Sequence, residues 1–238
     1  MVQQGLRPRF AVRAVLPTWV AVVAYAIAMA YVESAAVLYL RTIYGGVDPV
    51  GPRHTPFNPP PDFVWVEIGR EACAMVMLVA VGWLAARSAW GRLGAFALAV
   101  GVWDIFYYVF LLVFAGWPPS LLAPDILFLI PLPWWGPVIA PMLCAAIMAV
   151  AGSALIARES GDGIPAPPRV VWLTVVLGST LCLVAFMLDA LLASVNGLEA
   201  AYEVRASAFP WPIYLAGVAI AVAGLWRGLL LSHDRLAR

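Results

Sequence analysis

Acidic side chains lie inside apolar stretches of this chain that are long enough to cross a membrane. Nearly all of them fall toward the same side of the membrane together with Arg70, and the set is Glu33, Glu67, Arg70, Glu71, Asp104 and Asp189. A charge deep in a membrane helix costs about 2.5–3.5 kcal/mol on insertion scales, so such residues are rare and face the bundle interior or a water-filled cavity. The sequence therefore predicts a polar site that is enclosed by helices.

The apolar stretches themselves predict an all-α integral membrane protein. Hydrophobic residues make up 64% of the chain and charged residues 11%, which excludes an ordinary soluble domain. A bilayer core about 30 Å thick needs roughly 20 apolar residues of helix. We expect a single transmembrane domain over residues 1–238 with outer loops at 44–62, 118–135 and 195–210. Its six predicted spans are Leu16–Ile43, Phe63–Ala86, Leu93–Trp117, Gly136–Ala157, Val170–Ser194 and Trp211–Ser232.

The distribution of arginines predicts the orientation of the spans. The N-terminal segment, the 2–3 and 4–5 connections and the C-terminal segment carry ten arginines, whereas the other connections carry only Arg41, Arg53 and Arg205. By the positive-inside rule, both termini are expected in the cytoplasm. All basic residues are arginine, which suits a GC-rich genome, and we expect a multi-pass protein of the bacterial cytoplasmic (inner) membrane.

The first span has a competing interpretation as a secretory signal. Three arginines, an apolar run and Ala28-Met29-Ala30 are typical of a signal peptide and its cleavage site. The apolar run continues to Ile43, however, which is too long for a signal core, and cleavage would discard most of a helix that carries Glu33. An uncleaved anchor is the better prediction.

A segment rich in proline and tryptophan connects spans three and four. Its apolar centre after Pro124 is too short to span, and prolines lie on both sides of it. It is expected to form a re-entrant or interfacial helix that Asp125 caps, and a lid over the polar site. Trp134 fits the headgroup belt, so a tryptophan-rich loop resting on the membrane surface is the alternative.

The acidic residues are predicted to converge in the outer half of the membrane. Glu67 and Glu71 are four residues apart and share a helix face, with Arg70 on an adjoining stripe. Glu33 lies late in the first span, and Asp104 lies near the middle of the third. Tyr107 and Tyr108 follow Asp104 by one turn and can hydrogen-bond a neighbour or a ligand.

One arginine among four deep carboxylates leaves negative charge to be neutralised by protons or by a bound cation. An oxygen-only set (Glu33, Glu67, Glu71 and Asp104) favours a hard divalent cation such as Ca²⁺, Mg²⁺ or Mn²⁺. No histidine occurs in any predicted span, so neither haem nor a Glu-x-x-His di-iron centre is expected. The cofactor otherwise stays open.

Several functions fit this arrangement. The first hypothesis is binding or transport of a cation or small polar substrate; the alternatives are a membrane-embedded enzyme acting on a lipid or quinone-like substrate, with unknown catalytic residues, and a non-catalytic complex subunit. Equally open is a structural network in which Arg70 clamps Glu33, Glu67 and Asp104 and fixes the helix register, with Glu71 neutral. Expected partners are membrane lipids, further copies or other subunits, and no nucleic acid. The candidate ligand-binding or proton-carrying residues are Glu33, Glu67, Arg70, Glu71, Asp104, Tyr107, Tyr108, Asp125 and Trp134.

Overall fold

The structure, a computed structural model, describes residues 7–45, 60, 63–159, 168–204 and 208–236, and it is mostly helical. A short 3-10 turn, Ser194–Asn196, precedes α6. The helices are α1 Arg7–Ile43, α2 Phe63–Ala85, α3 Ala89–Ala115, α4 Ile139–Glu159, α5 Arg169–Ala193, α6 Leu198–Glu203 and α7 Trp211–Leu236, and the strands are β1 Pro124–Phe128 and β2 Trp134–Pro137.

The prediction of six membrane-length helices is confirmed. Six of the described helices are long and apolar enough to cross a membrane. The fourth begins at Ile139, three residues later than predicted, because Gly136 and Pro137 belong to a strand. The orientation of the termini stays a prediction, as does the outer loop 44–62, most of which lies outside the described residues.

The prediction of a helix between spans three and four is wrong, because this segment forms a β-hairpin. Strands β1 and β2 pair antiparallel, with Asp125 opposite Gly136 and Ile126 opposite Trp135. Prolines cannot donate the backbone hydrogen bonds of a helix interior, and the intervening isoleucine and aromatic residues favour extended backbone. Asp125 therefore lies in a strand and caps no helix.

The ends of α3 show how local sequence fixes a helix boundary. Ser88 precedes the helix in an extended conformation, and its hydroxyl accepts a hydrogen bond of 2.9 Å from the backbone N–H of Gly91. At the other end Gly116 adopts φ 63°, and its N–H donates to the carbonyl of Leu112. A hydroxyl cap and a left-handed glycine are the ordinary start and stop signals of a helix.

The described chain divides into two compact units. The first contains α1, α2, α3 and α4 from residue 141 onward; the second contains the hairpin, α5, α6 and α7. The expected single domain over residues 1–238 stays a prediction. The first unit has an apolar core built from four helices, comprising Val22, Ala26, Met29, Ala74, Leu78, Ala95, Leu98, Ala99 and Ile156.

Glycines bring helices into backbone contact within each unit. In the first unit, a Cβ added to Gly94 would lie 3.0 Å from the carbonyl oxygen of Gly152. In the second, a Cβ on Gly178 of α5 would lie 2.6 Å from the carbonyl oxygen of Gly217 on α7. Apolar side chains gain little by leaving lipid for another helix, so close packing of small residues is a principal source of helix association in membranes.

Replacing Gly178 with alanine is expected to destabilise the α5–α7 pair. The new methyl group meets backbone and cannot be accommodated by a rotamer change, so the loss should be about 1–3 kcal/mol. Thermal unfolding in detergent, followed by circular dichroism, measures it. Gly69→Ala is the matched control, because a Cβ there meets nothing within 4 Å. Equal melting temperatures for the two variants would contradict this packing.

Candidate functional site

Three charged residues occupy the first turns of α2. Glu67, Arg70 and Glu71 follow the helix start at Phe63 by four to eight residues, which is about 6–12 Å of helix rise. The Arg70 guanidinium contacts Glu67 one turn before it: Nε donates to Oε2 at 2.9 Å, and Nη2 lies 2.8 Å from the same oxygen. The spacing of three residues predicted from the sequence therefore forms an ion pair within α2.

Arg70 also joins α2 to α1. Its Nη1 forms an ion pair with Oε1 of Glu33, which lies on the neighbouring helix. One guanidinium thus binds carboxylates from two helices, as its forked array of five donors allows. We call Glu33, Glu67, Arg70 and Glu71 the charge cluster.

Glu71 and Tyr107 complete the surroundings of Arg70. Glu71 is the next residue of α2 and is 7% exposed, and it interacts electrostatically with the guanidinium. The Tyr107 phenol on α3 is the second such neighbour. Five of the nine predicted site residues are therefore brought together in the first unit, from three different helices.

Ser34, which is not among the predicted site residues, connects α1 to α3 beside the cluster. Ser34 is fully buried, and its hydroxyl lies 2.7 Å from the carbonyl oxygen of Ala30 and 2.9 Å from that of Tyr107. Ser34 directly follows Glu33 in the chain, so its hydrogen bond holds the backbone of Tyr107 close to that carboxylate residue. The available signal was a small hydroxyl residue adjacent to an acid within an apolar span, which is a common helix-bonding pattern in membranes.

Asp104 and Tyr108 lie near the cluster along α3 and have different surroundings. Asp104 is half-buried and precedes Tyr107 by one turn, about 4.5 Å of helix rise. Tyr108 is 4% exposed, and its ring packs against Tyr107 at 5.0 Å and Trp117 at 6.2 Å between centroids. Arg41 in turn lies 4.2 Å above the Trp117 ring. Tyr108 therefore packs in an aromatic group with Tyr107 and Trp117.

Asp125 and Trp134 lie in the second unit, on the β-hairpin. Asp125 is 5% exposed. Trp134 stacks on Phe186 of α5, with ring centroids 6.2 Å apart and planes inclined by 3°, and meets Phe128 edge-on at 5.3 Å. Trp134 thus packs the hairpin against α5, and the lid role of this segment stays a prediction.

The charge cluster remains partly accessible and has an apolar side. Exposed fractions are 25% for the Arg70 side chain, 12% for Glu33 and 15% for Glu67. The core of the unit, in contrast, lies before Glu33 on α1, after Glu71 on α2 and before Asp104 on α3. Because consecutive spans run in opposite directions, all of this core lies to one side of the cluster.

The predicted metal site is not assembled in the part of the chain that the structure describes. Within residues 15–45, 63–158, 168–204 and 208–228, no three histidine, cysteine, aspartate or glutamate side chains are placed to hold a metal ion. A divalent-cation role for Glu33, Glu67, Glu71 and Asp104 therefore stays a prediction. What the geometry offers is a set of carboxylate oxygens around one guanidinium and one phenol.

Comparison with known proteins adds no family: no family model matches this chain, no curated protein matches it, and no solved structure matches its fold.

Arg70→Gln is expected to destabilise the first unit more than removal of an arginine outside the cluster. It leaves Glu33 and Glu67 close together without their cation, a loss of about 3 kcal/mol for a broken buried pair. Adding Glu33→Gln should restore part of that stability, because the uncompensated carboxylate is removed. Unfolding in detergent micelles measures all variants.

The matched control is Arg158→Gln at the end of α4, which should change stability by about 0.5 kcal/mol or less. Equal losses for Arg70→Gln and Arg158→Gln, or a double variant no more stable than Arg70→Gln, would contradict an ion pair that holds α1 to α2.

Proposed function

We propose that the charge cluster is a binding site for a cation or a small polar solute carrying a positive group. The observation that carries the proposal is the composition of the cluster: Glu33 and Glu67, from two helices, pair with a single guanidinium, and the buried Glu71 follows it on α2. When all are ionised, the site bears net negative charge in an environment where charge is costly. A bound cation, or a proton in its absence, removes that cost.

Partial exposure supports access to this site. Glu33, Glu67 and Arg70 each keep some accessible surface. Exposing them to hydrocarbon is unfavourable, so their accessible edges are expected to face water or the headgroup region. Tyr107 adds a hydroxyl group that can donate to or accept from a bound solute.

Binding is better supported than passage through the first unit. On the side of the cluster where the core lies, α1, α2 and α3 present Ala26, Leu78 and Leu98 to one another, with exposed fractions of 0–1%. An ion that crosses a membrane protein needs polar groups or water along its route to replace its hydration shell. We therefore assign the cluster as a site reached from one side, which the arginine distribution would place outside the cell.

The other interpretations remain predictions. Chemistry on a lipid or quinone-like substrate would use the same carboxylates as acids or bases, and a complex subunit would use them to pair helices. In each case the ion pairs of Arg70 would be needed for folding. The readings differ in whether a small ligand stabilises the isolated protein.

Ionic probes should raise the melting temperature of the purified protein if the cluster binds cations. We would test NaCl, KCl, MgCl₂, CaCl₂, MnCl₂, guanidinium at millimolar concentration and choline chloride in detergent, at matched ionic strength. A ligand at 100 times its Kd stabilises a folded state by about 2.7 kcal/mol, so at least one probe should give a saturable shift of several degrees. Glu71→Gln should reduce that shift at least severalfold.

Glu199→Gln serves as the matched control, because Glu199 is an exposed acid on α6 outside the cluster. It should retain the full shift. The proposal fails if no probe stabilises the wild-type protein, or if Glu199→Gln loses as much of the shift as Glu71→Gln.

A further inference from the structure

An open apolar groove runs along α2, on the part of the helix beyond the charge cluster. Its volume is about 550 Å³, and all of its lining residues lie on α2. Its two largest contributors near the helix end, Trp83 and Leu84, are 60% and 83% exposed. The lining residues are Met75, Val76, Val79, Ala80, Trp83 and Leu84.

The groove has the length of a lipid chain segment within one leaflet. Residues 75–84 cover nine helical steps, about 14 Å, and half of a bilayer core is about 15 Å. Its lining is aliphatic, thioether and indole. Such a surface binds hydrocarbon and provides no hydrogen-bonding groups along its length except the Trp83 indole.

Positive charge is concentrated where the groove ends. The guanidinium of Arg92, on α3, lies 3.7 Å above the Trp83 ring, and its Nε donates to the carbonyl of Ala86 at 3.2 Å. A guanidinium has five N–H donors, so Arg92 can donate to an anion besides the Ala86 carbonyl. Arg87 is exposed in the same α2–α3 connection.

We propose that this groove and the two arginines form a binding site for one anionic phospholipid. An acyl chain lies along Met75–Leu84, and the phosphate contacts Arg92 and Arg87 at the end of α2. Charge complementarity selects this occupant, because basic pockets beside membrane helices bind anionic headgroups. If a second copy of this chain occupied the groove in the same orientation, its own arginines would lie at the same depth, where like charges repel.

The site is independent of the charge cluster. Glu71 and Met75 are one turn apart on α2, yet the lipid headgroup end lies three to four turns further along the helix. Under the predicted orientation it faces the cytoplasmic leaflet, where anionic lipids supply negative surface charge. The ligand at this site would stabilise the turn between α2 and α3.

Native mass spectrometry of the delipidated full-length protein tests the proposal. Dioleoyl phosphatidylglycerol and dioleoyl phosphatidylcholine are titrated separately, so that chains are identical and only headgroup charge differs. We expect the first equivalent of phosphatidylglycerol to bind roughly 25-fold more tightly, since each of the two arginines near the surface contributes about fivefold. Arg87→Gln combined with Arg92→Gln should bring the two lipids to equal affinity.

Two further variants separate the groove from the charges. Ala80→Trp fills the groove without changing charge and should weaken both lipids severalfold. Arg158→Gln combined with Arg169→Gln removes two arginines from the other predicted inner connection and should leave the selectivity intact. If the Arg92 variant does not fold, Arg87→Gln and Ala80→Trp alone provide the test.

Equal affinity of the wild-type protein for the two lipids would overturn the proposal. So would an Ala80→Trp protein that binds both lipids as tightly as wild type, or an equal loss of selectivity in the Arg158/Arg169 control. Retained selectivity in the Arg87/Arg92 variant would place the anionic lipid elsewhere and would also overturn it.

Discussion

An arginine inside a membrane helix must be neutralised by its neighbours, and much of the first unit follows from how Arg70 meets this requirement. Its guanidinium binds Glu67 on its own helix and Glu33 on α1, so helix formation and helix association are linked through one side chain. Because hydrocarbon cannot solvate a charge, separating them would leave each charge poorly neutralised. The ion pairs therefore determine which faces of α1 and α2 meet.

The remaining contacts of the unit then place α3 beside this pair. Ser34 bonds the backbone carbonyl of Tyr107, which holds α3 against α1 beside the charge cluster, with Asp104 one turn before Tyr107. Beyond the cluster the buried core is apolar, and the Trp19 indole beside it donates to the Ser153 hydroxyl at 3.0 Å. The resulting unit is polar in one region and apolar through the rest of its core, which favours a bound ligand over a continuous pathway.

Membrane-length helices and the approximate location of charged residues were predictable because the bilayer imposes a length and a composition on each span. The contact between Glu67 and Arg70 was predictable because residues three apart are neighbours on a helix surface. The choice of Glu33 as the partner across helices was one of several possibilities, since pairing between helices leaves no periodic signal. Ser34 was missed because its role depends on a carbonyl 73 residues away.

The hairpin illustrates a different limit. Length and proline content suggested a short helix after Pro124, but the strand partner at Trp134–Pro137 lies beyond a proline-rich turn. Pairing with this neighbouring strand outweighed the capping pattern of Asp125. Trp134 stacks on Phe186 of α5, a contact that hydropathy cannot reveal, and its place in the headgroup belt stays a prediction.

The most direct test of the central claim is native mass spectrometry of the protein extracted gently from the membrane in which it is expressed. The account predicts a small cationic or polar adduct that is retained by the wild-type protein and by Glu199→Gln and lost in Glu71→Gln, with all three proteins folded. A folded wild-type protein that carries no such adduct, or an adduct that persists unchanged in Glu71→Gln, would reduce the charge cluster to a purely structural element.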